Sequence, residues 1–305
     1  MLQLLLGGSG SGKTTLLYQR IRTRAEKGEK SILLVPEQFT SSTEGRIYRE
    51  LGDALSGMVE SFSFTSLAEK ILSTEGGAAV QTLSDAGRAV LVRRALEELQ
   101  DNVHYYHRHR RSAAFCQMAA QTIDELKSAG LSGRQLAQLA GACGAESGKL
   151  SELALIFQGY ETLLARSGMD PSDRLELAGA RLEEALARHS LPEFLRDRAV
   201  FIDEFDTFNA PKKRLLGAML AALPSVTVAL CDDGAPLLPG DLSLFSGAKQ
   251  VAAQLRQLAR KNGAEVAVPQ LLRKDLRHRN APGLAAVAEL LETGSCTADA
   301  PAGEV

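Results

Sequence analysis

Short apolar runs of strand length alternate with longer stretches of helical spacing at both ends of this chain, whereas its middle carries the helical kind alone. Residues 2–6 and 31–35 are compact apolar runs, the second closed by Pro36, and 58–62 is a weaker one. Residues 14–25 and 66–72 are spaced as helices. The alternation resumes late in the chain: 199–202 and 226–230 read as buried strands, 211–223 and 248–261 as helices, and 265–268 as a last strand. Strands alternating with helices predict a parallel sheet covered on both faces. Between about residues 80 and 190 no convincing strand occurs. Leu83-Ser84-Asp85 can start a helix carrying Leu91, Ala95 and Leu99, and 113–129, 132–142, 150–166 and 171–188 repeat apolar positions every three or four residues. Gly130 and Gly168 sit where helices should end, and Asp170-Pro171 where one should begin. The pattern is that of an α/β protein split by an all-helical insertion, with 1–76 and 195–305 forming one domain and 77–194 the other. No internal repeat of 20–50 residues is visible.

The link between the first strand and the first helix reads Gly7-Gly8-Ser9-Gly10-Ser11-Gly12-Lys13-Thr14, a complete G-x-x-x-x-G-K-[ST] pattern. Glycines let the backbone curl until successive N–H groups face one anion, and the helix N-terminus adds favourable partial charge. Residues Gly7 to Thr15 therefore form the expected nucleotide-binding set. Lys13 would reach the β- and γ-phosphates of ATP, and the Thr14 hydroxyl would ligate Mg2+. The competing reading is a flexible Gly/Ser turn, which the strand–loop–helix setting disfavours.

Such a loop needs a carboxylate at the end of a neighbouring strand. Ala199-Val200-Phe201-Ile202-Asp203-Glu204 supplies two: Asp203 as the metal ligand and Glu204 to orient or deprotonate the attacking water. Alone, the string reads more readily as a solvated acidic strand end; downstream of the phosphate loop and across a helical insertion the functional reading is favoured. Asp232 and Asp233 reach the same sheet edge, either to sense a γ-phosphate or nucleic acid, or as a polar turn into Gly234. The run His104–Arg111 interleaves tyrosines, histidines and arginines, a composition suited to stacking on single-stranded bases. The blander alternative, an exposed interhelical loop, is favoured. The run 273–279 reads as a charged lead-in to a helix.

With 305 residues and 45% hydrophobic content the chain can build a sizeable core, and a net charge of -2 gives no global basic field, so nucleic-acid contact must be local. Four cysteines are scattered without C-x-x-C pairing, which predicts no zinc site and suits a reducing, cytoplasmic location. The first apolar run lacks a charged n-region and is too short to span a bilayer, and no other stretch approaches that length.

Taken together, these motifs resemble a superfamily 1 helicase motor domain. More narrowly, the chain is similar to the N-terminal part of the B subunit of bacterial AddAB-type ATP-dependent helicase/deoxyribonucleases. After the phosphate loop comes Val35-Pro36-Glu37-Gln38-Phe39-Thr40, close to a signature of that family, where helicases place a DNA-contacting motif. Ser61 to Ala68 resembles the next motif, 83–88 with 93–96 open the insertion as in the family, and 125–127, 153–157 and 170–173 continue it. Phe201-Ile202-Asp203-Glu204-Phe205 closes the series. The resemblance implies a RecA-like P-loop NTPase fold, ATP and Mg2+ as cofactors, and DNA contact over Pro36, Gln38, Phe39, Thr40, Phe62 and Phe64. It also implies an A-type motor subunit as partner and a role in double-strand break repair and recombination. The family's second motor domain, nuclease motif and iron–sulfur cysteines are not found in these 305 residues, so the resemblance implies a fragment of such a subunit. No adenine-reading glutamine precedes the loop, and none follows Cys231-Asp232-Asp233. Those absences fit a degenerate motor that keeps nucleotide binding, with weak ATPase activity at most and no unwinding or cutting by itself. The alternatives are a small P-loop kinase, which would normally carry an arginine-rich lid, and an interaction domain with a vestigial loop.

Overall fold

The structure, a computed structural model, describes residues 1–77, 79, 81–109, 111–144 and 147–293. The Gly/Ala/Pro-rich stretch 294–305 lies outside them. In chain order the elements are β1 (Leu2–Gly7), α1 (Lys13–Glu26), β2 (Ser31–Leu34), α2 (Thr40–Leu51), the single-turn α3 (Asp53–Ser56), β3 (Val59–Phe62) and α4 (Phe64–Glu75). Five helices follow: α5 (Asp85–Glu98), α6 (Ala113–Ser128), α7 (Gly133–Ala140), α8 (Ser147–Ser167) and α9 (Pro171–Ala187). Then come β4 (Ala199–Ile202), α10 (Ala210–Ala222), β5 (Ser225–Cys231), α11 (Ser246–Lys261), β6 (Gln270–Leu272) and α12 (Pro282–Thr293).

The six strands form one parallel sheet in the order β3-β2-β4-β5-β1-β6. Strands covered on both faces must be apolar on both, which is why β2, β4 and most of β1 and β5 are unbroken runs of buried residues. Leu5, Leu33, Phe201 and Ala229 point from four strands into one cluster with Leu17 and Ile21 of α1 and Ile47 and Leu51 of α2. Each fully buried leucine or isoleucine there contributes roughly 1.5–3 kcal/mol.

By contact density the chain divides into two units. The first comprises Met1–Leu67, Ala185–Phe208 and Leu216–Val305 and carries the sheet; the second comprises Ala68–Glu184 and Asn209–Leu215. The second unit has its own core, in which Val92, Ala95 and Leu96 of α5 meet Cys116 and Ile123 of α6 and Ile156, Phe157 and Tyr160 of α8. Its helices start where the sequence provides hydroxyls. Ser84 accepts from the Gly87 N–H, Ser112 from Phe115, and Ser132 forms a reciprocal capping box with Gln135. Gly130, at φ +83, ends the α6 segment as expected.

One expectation needs correction. The last strand is β6 at Gln270–Leu272, not 265–268, where only an isolated bridge pairs Leu2 with Val266. Val268 is 87% exposed, Pro269 has no N–H to donate, and Arg20 fixes the later register by binding both Gln3 and Gln270. Helix α2 occupies a stretch that the pattern reading passed over, and α12 follows the charged lead-in at 273–279. Among the described residues no helix is long and apolar enough to cross a membrane.

Candidate nucleotide site

The loop between β1 and α1 is shaped by its glycines. Gly10 has φ +78, in the left-handed region that L side chains avoid. Gly7 is forced sterically, since a Cβ there would lie 2.6 Å from the Leu272 carbonyl oxygen. The Lys13 ammonium folds back into this curl and donates to the carbonyls of Gly7 and Gly8, both at 2.8 Å. The cation is therefore held against the loop backbone by two carbonyl oxygens. Ser11 Oγ is buried without a hydrogen-bond partner among the described residues.

The acid pair arrives from β4, which is one strand further away than expected, because β5 lies between β4 and β1. The geometry still closes. Asp203 is 6% exposed, faces the Thr14 hydroxyl at the start of α1, and accepts from the Glu204 N–H at 3.0 Å. Burial pushes the Asp203 carboxyl above its ordinary range, opposed by the Thr14 hydroxyl and the Lys13 charge. Glu204 adopts φ +63 and projects into solvent at the rim. Phe205 holds this strained turn by packing on Phe64 at 5.2 Å and stacking on Phe208 at 5.4 Å.

Lys13, Thr14, Thr15, Asp203 and Glu204 line one open cleft of about 610 Å³, a size suited to a nucleotide. A hydroxyl facing a buried carboxylate is a pair of hard oxygen donors. That set fits Mg2+, which takes one or two protein oxygens and completes its shell with water and phosphate. Among the described residues no group of three or more His, Cys, Asp or Glu converges into a cage.

Two arginines that the sequence reading left out line the same cleft. Arg46 comes from α2, and its guanidinium lies 4.9 Å above the ring of Tyr18. Arg277 donates to Ser9 Oγ at 3.0 Å, while the Leu276 N–H donates to the Gly10 carbonyl at 3.0 Å. The 273–279 run is thus a strap across the loop as well as a lead-in to α12. A signal for Arg46 existed in the Thr43, Ile47, Leu51 stripe of α2, which fixes its helical phase. Nothing local announces the strap, whose partner is 268 residues away in sequence.

The candidate DNA-facing residues divide. Pro36, Gln38, Phe39 and Thr40 follow β2 at the carboxyl edge of the sheet, and Gln38 and Phe39 also line the nucleotide cleft. Phe39 is 39% exposed, whereas Phe62 is half-buried against Phe194 at 6.5 Å. Phe64 leaves the set: it is 3% exposed inside the aromatic cluster, so no base can reach its ring. Asp232 and Asp233 take the turn geometry, accepting from the Gly234 and Ala235 N–H groups, and Lys249 clamps Asp233 and Asp241 at 3.2 and 3.3 Å. Within the second unit, the His104 loop joins α5 to α6 as an exposed connection. The Glu152 carboxylate fastens it by accepting from the N–H groups of His104, Tyr105 and Tyr106.

Comparison with known proteins finds B subunits of ATP-dependent helicase/deoxyribonucleases among the relatives. The chain is 34% identical over 296 residues to the B subunit of Desulforudis audaxviator, covering 93% of this chain and 25% of that protein. It is 32% identical to the Moorella thermoacetica protein, over 93% of this chain and 25% of that one, and 31% identical to that of Symbiobacterium thermophilum, over 95% and 26%. The chain spans about a quarter of the length of these curated relatives. The family profile described as "ADDB, N-terminal" matches residues 4–288, and the chain belongs to that family.

Proposed function

We propose that this chain is the ATP-binding, helicase-like part of the B subunit of an ATP-dependent helicase/deoxyribonuclease. It would act in repair and recombination of broken DNA beside an A-type motor subunit. In this reading residues 1–76 and 195–305 form the nucleotide-binding domain and 77–194 an insertion. One observation carries it: motifs far apart in sequence put the Lys13 ammonium, the Thr14 hydroxyl and the Asp203 carboxylate around one cleft, in a chain whose relatives bear that name.

The chemistry follows from those groups. Loop N–H groups face the phosphates, and Lys13 exchanges two carbonyl contacts for phosphate oxygens, trading neutral acceptors for charged ones. Thr14 and Asp203 would hold Mg2+, which when bound neutralises charge on the phosphate tail. Glu204, exposed at the cleft rim, orients the attacking water. DNA would run along Pro36, Gln38, Phe39 and Thr40 and past Phe62, bound weakly and salt-dependently because few cations flank that edge.

The test is titration with ATP and magnesium of wild type and Lys13→Ala, then hydrolysis with and without single-stranded DNA, including Glu204→Gln. Binding lost in Lys13→Ala, with DNA-stimulated turnover lost in Glu204→Gln, supports the reading. Phosphorylation of a small acceptor would favour a kinase instead, and equal ATP affinity of wild type and Lys13→Ala refutes the site.

A further inference from the structure

Three cations line the nucleotide cleft: Lys13, Arg46 and Arg277. Lys13 is held by loop carbonyls and Arg277 by Ser9. Arg46 alone has no hydrogen bond or ion pair among the described residues, and its described partner is the face of Tyr18. Tyr18 lies one helical turn beyond Thr14 on α1 and is 5% exposed, so it is a fixed platform on the same helix face. Arg46 lines the cleft together with Asp203 and Glu204, so the guanidinium and the acid pair border one space. In the nucleotide-binding reading the outermost phosphate lies in that space, because there the carboxylates serve the metal and the attacking water. A guanidinium parked on an aromatic face is desolvated in part and oriented, yet its donors are unspent, which suits bidentate capture of a phosphate.

We propose that Arg46 contacts the γ-phosphate of bound ATP and thereby reports nucleotide state to α2 and to the 36–40 segment that precedes it. This rests on the nucleotide-binding reading above. With ATP bound, the guanidinium turns from Tyr18 to the terminal phosphate; with ADP it has no such partner and stays on the ring. Arg46 belongs to α2, which starts directly after the short helical turn Glu37–Phe39, so its movement is transmitted to Gln38 and Phe39 through one continuous helical segment.

The experiment compares equilibrium binding of ATP and ADP, each with magnesium, to wild type, Arg46→Ala, Arg46→Lys and Lys13→Ala. Loss of one charge-assisted contact predicts about a tenfold or greater fall in ATP affinity for Arg46→Ala. ADP affinity should stay within about threefold, and Arg46→Lys should recover part of the ATP loss. Lys13→Ala should weaken both nucleotides. Equal weakening of ATP and ADP in Arg46→Ala would mean a structural effect on α2 and overturns the proposal, as does unchanged ATP affinity. A wild type that binds neither nucleotide overturns the nucleotide reading itself, and Arg46's role with it.

Discussion

Replacing Lys127 by methionine tests how the helical unit is held together. The Lys127 ammonium donates to Asp170 at 2.8 Å and to Asp173 at 2.7 Å, with side-chain exposures of 9% for the lysine and 1% for Asp170. Tyr160 donates to the other Asp170 oxygen at 2.5 Å. Methionine keeps most of the volume but strands a buried carboxylate with one hydroxyl donor, and breaking a buried pair in this way costs about 3–5 kcal/mol. For an m-value of about 2 kcal/mol per M urea, the unfolding midpoint of this unit should fall by about 1.5–2.5 M. Adding Asp170→Asn removes the stranded charge while leaving an oxygen for Tyr160, so the double variant should be more stable than Lys127→Met alone. Native-state hydrogen exchange of α6, α8 and α9 reads this unit separately from the sheet. A loss below about 1 kcal/mol in Lys127→Met, or further destabilisation on adding Asp170→Asn, would refute the view that the pair is a charge-compensated unit.

The same cluster sets an alkaline limit. Burial works against the Lys127 ammonium, but its bonds to Asp170 and Asp173 outweigh it and hold the pKa above the ordinary value; burial and Asp170 likewise push the Tyr160 hydroxyl up. Raised folded-state values contribute stability that is complete below about pH 10 and is lost as pH rises through them, so unfolding curves should weaken above that pH and flatten in Lys127→Met/Asp170→Asn. Phe64→Ala should destabilise the sheet unit by about 3–5 kcal/mol, measured by denaturant titration, with single-stranded DNA affinity per folded molecule unchanged. Weaker DNA binding by folded Phe64→Ala would restore that ring to the DNA-facing set. Arg277→Ala frees the strap from Ser9, so amide exchange over 8–12 and 273–279 should quicken while the global unfolding free energy changes by less than about 0.5 kcal/mol; unchanged exchange would show that the strap does not restrain the loop.

The sheet was legible in the sequence because a parallel strand buried on both faces leaves a run such as Ala199–Ile202 with no polar interruption. The loop was legible because its glycines and lysine serve one local geometry. What escaped notice depends on tertiary partners. Pro269 displaced the last strand towards Gln270, a choice settled by Arg20 reaching across from α1. The strand between β1 and β4 is set by sheet order, which no local pattern encodes. The strap over the phosphate loop joins Ser9 to Arg277, and neither residue carries a mark of the other. Phe64 was ambiguous because an aromatic next to a strand end suits a base or a core equally, and Phe205 and Phe208 decide for the core.

The strand order also dictates when this protein can become functional during its synthesis. β1 precedes the other strands of the sheet in synthesis, yet both of its sheet neighbours, β5 and β6, are made late, and Leu2 must wait for Val226. At bacterial-like elongation rates of about 5–20 residues per second, that wait is about 10–45 s. During it the apolar run of β1 and the glycine loop have no lattice to rest on, whereas α5 to α8, contiguous in sequence, can pack as soon as they emerge. Nascent chains halted before Ala199 should therefore hold a protease-resistant helical core and a cleavable N-terminus. The loop should gain protection only once Cys231 has cleared the exit tunnel.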